Sequence, residues 1–207
     1  MYHNRIIINI SFTILTFAIF SYFYIDRLLA VYFHNIHNIL IVTIFHYITK
    51  IGEAQYILIP LILLFMFNYK KTPLFAYKML YLFSAVAVSG IIADIIKIIA
   101  ARERPAMLFE HDAYGFIWFK LGSLFNSFPS GHSATSWSLF IGLSLLFPKQ
   151  KVLFLTLAFL VSTSRIVLNF HYLSDVLIGS LIGGLIALFI YQKYILTDNC
   201  NKFQTSV

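Results

Sequence analysis

Long apolar runs separated by short polar islands organise this chain of 207 residues. Crossing a bilayer as a helix takes about 20 predominantly apolar residues, with tolerance for slightly shorter runs. Runs of that kind fall at 6–25, 51–69, 76–98, 131–147, 152–169 and 174–195, and each predicts a membrane-spanning helix. The first run is longer than the about 7–15 apolar residues of a secretory signal, and no small-x-small cleavage site follows before Asp26 and Arg27, so it reads as a retained anchor. Residues 31–50 differ: a short apolar stretch is flanked by His34, Asn35, His37, Asn38 and His46, which predicts an interfacial or partly inserted helix. In the last run Gly179 and Gly183 form a GxxxG pattern suited to close helix packing. The expected fold is all-α, an integral membrane six-helix bundle with an interfacial helix near 31–50, forming one membrane-embedded domain over residues 1–207.

Composition agrees with the pattern. Hydrophobic residues make up 60% of the chain and charged residues 11%, with mean hydropathy +0.83, whereas soluble domains average about 45–50% apolar and about 25% charged. No linker, low-complexity tract or internal repeat divides the chain. The single cysteine, Cys200, excludes an internal disulfide and argues against a cysteine-ligated metal. A net charge of +7 suits a protein that lies against anionic lipid or handles anionic substrates.

The cations then orient the bundle. With the N-terminus in the cytoplasm, Arg5, Lys70, Lys71, Lys78, Lys149, Lys151, Lys193 and Lys202 face inside, and Arg27, Lys50, Lys97, Arg102, Arg104, Lys120 and Arg165 face outside. Lys97, Arg104 and Arg165 have a chemical reason to be where they are, given below; without them the bias follows the positive-inside rule. Making 31–50 a true span would reverse that bias.

The same alternation collects an unusual set of side chains at one membrane face: Lys97 and Arg104 after the third run, His132 at the start of the fourth, Arg165 near the end of the fifth, and His171 and Asp175 at the start of the sixth. Ionisable groups at the ends of apolar spans are costly unless they meet one another or a hydrated cavity. The pieces that carry them are "KIIAARERP" (97–105), "PSGH" (129–132) and "SRIVLNFHYLSD" (164–175). Read as K-x6-R-P, P-S-G-H and S-R-x5-H-x3-D, they match in full the signature of the type 2 phosphatidic acid phosphatase superfamily, which the chain therefore resembles over about 80 residues. The N-terminal half is similar to that family only in being hydrophobic.

Chemistry gives the spacing a reason of its own. His171 and Asp175 are four apart and would share a helix face, where the carboxylate can hold one imidazole N–H and fix the other nitrogen as the lone-pair donor. His171 is the candidate nucleophile, and the resemblance implies a phosphohistidine at this position. His132, after Gly131 at a helix start, is the candidate general acid for the departing alkoxide. Lys97, Arg104 and Arg165 can stabilise the charge on a transferring phosphoryl group, with Ser130 and the backbone N–H groups of Gly131 and His132 completing a cradle. Three cations beside the histidines would repel a divalent metal, so no metal and no cofactor is expected.

The remaining polar residues take ordinary readings. His3, His34, His37, His46 and His111 are expected to be interfacial or hydrogen-bonded, Arg102 and Lys120 to be headgroup anchors, and Asp94 to pair with Lys97 on the same helix face. Phe109, Tyr114, Phe116, Trp118 and Phe119 suit an interfacial aromatic belt.

The expected partners are the bilayer and a membrane lipid phosphate, with no nucleic acid. The resemblance implies a bacterial inner-membrane phosphatase facing the exterior and acting on lipid A, phosphatidylglycerophosphate or phosphatidic acid. Undecaprenyl diphosphate ranks below these monoesters because a second cradle is not evident, with Arg102 and Lys120 the only spare cations nearby. Vanadium haloperoxidases, similar in the same motifs, are soluble proteins; a non-catalytic lipid-phosphate binder would lack the nucleophile or the acid.

Overall fold

A computed structural model of the chain describes residues 2–36 and 38–193, with side chains from residue 5 onward. His37, Cys200, Lys202 and the side chain of His3 lie outside the described residues. The helices are α1 (Tyr2–Tyr24), α2 (Asp26–His34), α3 (Ile39–Lys50), α4 (Ala54–Asn68), α5 (Pro73–Ala100), α6 (Pro105–His111), α7 (Gly131–Leu146), α8 (Lys151–Val167) and α9 (Leu173–Tyr191). Among the described residues there is no strand, only an isolated bridge between Arg102 and Phe116.

The molecule is apolar outside and small or polar inside. Phe12, Ile39, Phe67 and Val152 stand exposed on the helix exteriors, while Ser89, Ser133, Ser136, Ser138, Ala85 and Ala93 are buried. This is the arrangement of a protein whose solvent is lipid, where helices associate through small residues and hydrogen bonds. The chain is an integral membrane protein.

Among the described residues five helical stretches are long and apolar enough to cross a membrane: Arg5–Tyr24, Ile39–Asn68, Pro73–Ala100, Pro148–Val167 and Leu173–Tyr191. The expected span at 131–147 is α7, whose 16 residues are fewer than in any of these five stretches. It packs against α5, α8 and α9, and its first turn borders a cleft in the protein.

Residues 31–50 do not make one helix either. The chain leaves α2 at His34, and the Asn38 side chain caps a new helix by accepting from the Ile41 N–H at 3.2 Å. A turn at 51–53 then separates α3, which packs on α8, from α4, which packs on α5.

The α7–α9 contact explains the two glycines. A Cβ on Gly179 would lie 2.4 Å from the Ser130 carbonyl oxygen, and one on Gly183 would lie 2.1 Å from that of Ala134. Any larger residue would push α9 away from the helix that carries "PSGH".

Candidate active site at one end of the bundle

Each motif is delivered by a helix end. Helix α5 stops where Ala101 takes a left-handed conformation (φ 42°), its N–H bonding the Lys97 carbonyl at 2.9 Å. That leaves Lys97 on the last turn and turns 102–104 across the top of the bundle. The backbone there is tied down by the returning loop: the Arg104 N–H donates to the Leu124 carbonyl at 2.8 Å, and the Ser127 N–H to the Arg102 carbonyl at 3.0 Å. Helix α7 starts at Gly131 because Ser130 caps it, its hydroxyl accepting from the Ser133 N–H at 3.4 Å and the Ser133 hydroxyl at 3.0 Å.

These ends surround a cleft of about 510 Å³ lined by Lys97, Arg104, Gly131, His132 and Arg165, together with His46, Thr49, Lys50, Gly52, Glu53, Asp94 and Phe170. Gly131 is small for a reason visible here: a Cβ at that position would sit 2.8 Å from Lys97 Nζ. Lys97 is held by Asp94, whose Oδ1 accepts from Nζ at 2.8 Å, the pairing expected from their spacing. Arg165 donates to the Thr49 hydroxyl at 2.6 Å and lies over the Phe170 ring at 4.4 Å.

The cations are under-used by the protein. The Arg104 guanidinium makes no hydrogen bond to any described residue, and the buried Nε atoms of Arg104 and Arg165 have no partner. Burial pulls the Arg104 guanidinium below its ordinary pKa, against the opposing pull of Asp175. A desolvated cation with free N–H groups is an anion site.

His171, Asp175 and Ser130 lie behind the floor of this cleft, at 3%, 0% and 0% exposure. Here the geometry corrects the expected pairing. Helix α9 begins at Leu173, so His171 precedes it instead of sharing its first turns. Nδ1 of His171 lies 2.7 Å from the Ser127 carbonyl oxygen and 3.8 Å from Asp175 Oδ2. A carbonyl only accepts, so Nδ1 carries the proton and Nε2 the lone pair. Asp175 reaches the imidazole at one remove, accepting from the Ser127 hydroxyl at 2.6 Å and the Tyr172 N–H at 2.9 Å. Burial lowers the His171 pKa to about 4, which keeps Nε2 unprotonated at neutral pH. His132 lies within electrostatic reach of His171, Lys97, Arg104 and Arg165.

The PAP2 superfamily model matches residues 78–196, more than half of the chain and all three motifs. The chain belongs to the PAP2 superfamily. A curated relative, the lipid A 1-phosphatase of Rhizobium etli, is 38% identical over 104 residues, spanning 50% of this chain and 45% of its own length. The chain thus matches less than half the length of that relative. Two solved PAP2 structures share the fold. That of Aquifex aeolicus LpxE has TM-score 0.64 at 24% identity, over 81% of this chain and 94% of its own. That of a transmembrane PAP2-type phosphatidylglycerolphosphate phosphatase from Bacillus subtilis has TM-score 0.62 at 18% identity, over 96% and 99%.

Several residues of this PAP2 site were not expected. Ser127 links His171 and Asp175; its place next to "PSGH" was the available signal. Thr49, Gly52, Glu53 and His46 form a wall contributed by the α3–α4 turn, with the Gly52 carbonyl accepting from Thr135 Oγ1 at 2.9 Å. His46 is therefore a cleft residue, edge-on to Phe170, whereas His34 stacks on Phe109 and His111 stands beside Glu110. Arg102 is neither a headgroup anchor nor a spare phosphate ligand: it is fully buried, bonded to Asp26 and Asp175. Tyr114 and Phe116 turn inward to cover it, while Trp118 and Phe119 are exposed as a belt would be.

Proposed function

We propose that this chain is a metal-independent lipid phosphate phosphatase that hydrolyses a membrane lipid phosphomonoester through a phosphohistidine. The observation that carries the reading is the cleft in which three cations, Lys97, Arg104 and Arg165, line the wall with His132 while the buried Nε atoms of Arg104 and Arg165 stay unpaired. Phosphate oxygens are the natural acceptors. His171 Nε2 attacks phosphorus as the ester bond breaks, and His132 passes a proton to the leaving alkoxide. The phosphate dianion supplies the countercharge that lets His132 hold that proton among four neighbouring groups of positive or neutral charge. Water, deprotonated by His132, then displaces the phosphoryl group and restores His171. Asp175 and Ser127 keep Nδ1 protonated throughout; Ser130 and Gly131 shape the helix start that faces the phosphate.

The substrate class follows from the site's depth at helix ends, where a phosphate is reached while acyl chains stay in the bilayer. Lipid A, as in the Rhizobium etli relative, phosphatidylglycerophosphate and phosphatidic acid rank first, because burial of Arg102 removes one of the two spare cations that could have met a second phosphate. A diphosphate such as undecaprenyl diphosphate is a second reading, favoured by Lys50 on the cleft wall. Phosphate release from a panel of purified lipids tests both. Monoesters should be cleaved with the highest kcat/KM, orthovanadate should inhibit, and a chelator should have no effect. Chelator-sensitive activity restored by added metal would overturn the mechanism; a diphosphate preference lost selectively in Lys50→Ala would reverse the ranking.

The site is proposed to face the non-cytoplasmic side of a bacterial inner membrane, within one membrane-embedded domain. Asp112, whose side chain is 87% exposed in the loop beside the site, offers the probe. With Cys200 replaced, Asp112→Cys should react with an impermeant thiol reagent in intact cells. Labelling only after permeabilisation would place the site in the cytoplasm.

A further inference from the structure

Behind the cleft floor lies a second charge cluster, fully closed to solvent. Arg102 is 0% and Asp26 1% exposed. Arg102 Nη1 donates to Asp175 Oδ1 at 2.5 Å and to the Ser174 hydroxyl at 2.6 Å; Nη2 donates to Asp26 Oδ2 at 2.8 Å. Asp26 accepts in addition from the Ser21 hydroxyl at 2.7 Å, from the Ser174 N–H at 3.0 Å and from the Ser174 hydroxyl. One carboxylate at the α1–α2 junction therefore holds both the guanidinium and the first turn of α9, which carries Asp175. Asp26 lies outside the region that the family model matches.

The charge count gives this arrangement a chemical role. Among the hydrogen-bonded groups two carboxylates share one guanidinium, so this cluster, which reaches His171 through Ser127, holds one more negative than positive charge, with Arg104 acting on Asp175 from the cleft side. When Nε2 bonds phosphorus, the ring keeps its Nδ1 proton and becomes cationic; the electron pair of the broken P–O bond leaves with the alkoxide, protonated by His132. A buried surplus negative charge opposes that new positive charge where water cannot screen it. Without Asp26, Arg102 would neutralise Asp175 alone and the surplus would vanish.

We propose that Asp26 is a positioning residue for the nucleophilic step: by sharing Arg102 and anchoring Ser174, it holds Asp175 in place and leaves its charge available to phosphorylated His171. The inference rests on the phosphatase reading above and goes beyond its motif residues.

Asp26→Asn keeps the shape and removes the charge. In the full-length protein in detergent micelles, kcat for a lipid phosphomonoester should fall by about 10²-fold, the scale of a mispositioned catalytic group. KM and the inhibition constant for orthovanadate should stay unchanged, because Lys97, Arg104 and Arg165 are untouched. Asp26→Glu, which keeps the charge, should recover part of the rate. An unchanged kcat in folded Asp26→Asn overturns the proposal. So does loss of vanadate affinity in step with kcat, or equal loss in Asp26→Glu, since either marks a merely structural role.

Removing one partner of a buried ion pair can prevent folding. In that case Ser21→Ala, which deletes only the 2.7 Å bond to Asp26, carries the test: a several-fold lower kcat at unchanged vanadate inhibition supports the role, and an unchanged kcat overturns it. Wild-type protein that releases no phosphate from any lipid refutes the phosphatase reading itself, which the variant-to-wild-type ratios distinguish from failure of the Asp26 role.

Discussion

His171→Ala is expected to abolish phosphate release from every substrate, whereas His132→Ala should spare part of the activity when the leaving group is good. In the proposed mechanism the reaction is split at a phosphohistidine on His171, so removing that imidazole removes the step itself. Burial keeps His171 in that neutral form down to about pH 4, so the loss should persist across the neutral range. His132 has a different task. A lipid alkoxide is a strong base and needs its proton, a contribution of about 10²–10⁴-fold for a positioned acid, while p-nitrophenolate leaves without one. The measurement is kcat/KM for a lipid and for p-nitrophenyl phosphate in both variants, with the phosphoenzyme trapped under alkaline conditions. Equal losses for His132→Ala with the two substrates would sink the acid assignment.

The parts of this site that were legible in the sequence are those set by short spacing at a helix end. Lys97 and Arg104 bracket the end of α5, Gly131 and His132 open α7, and Arg165 closes α8, so the ends of the apolar runs alone bring these cations and His132 to one face. The His171–Asp175 spacing was read as a direct contact on one helix face. It is indirect because α9 starts two residues after His171, and the Ser127 carbonyl takes the bond that the carboxylate was expected to take. What stayed hidden depends on contacts across the chain. Arg102 looked like an interfacial cation because its partners Asp26 and Asp175 are 76 and 73 residues away, and a pattern read along one segment holds no trace of them. The wall formed by Thr49, Gly52 and Glu53 was concealed for a similar reason: Thr49 fell in the segment 31–50 read as interfacial and Gly52 and Glu53 at the start of the run 51–69 read as a span, and only the packing of α3 on α8 and of α4 on α5 turns them toward the cleft.

Arg104→Ala should lower kcat by about 10²–10³-fold, the scale for removing one preorganised donor from a developing oxyanion. The reason lies in how the side chain is spent in the resting protein. Lys97 is already paired with Asp94 at 2.8 Å and Arg165 with Thr49 at 2.6 Å, so each has part of its capacity engaged before substrate arrives. Arg104 has none of its side-chain donors engaged by a described residue, and its backbone is fixed by the Leu124 carbonyl. Its guanidinium is therefore held in place with its donors free, and the phosphoryl oxygens gain them without breaking a protein bond. Truncation removes that gain mainly where charge spreads over the equatorial oxygens, so the loss should appear in kcat more than in KM. Arg104→Lys separates charge from geometry. It restores a cation but not the planar fork, and should recover only a minor part of the rate while restoring most of the affinity for orthovanadate. If Arg104→Lys matches the wild type in kcat, a point charge suffices at this position and the planar fork of Arg104 is not what the reaction uses.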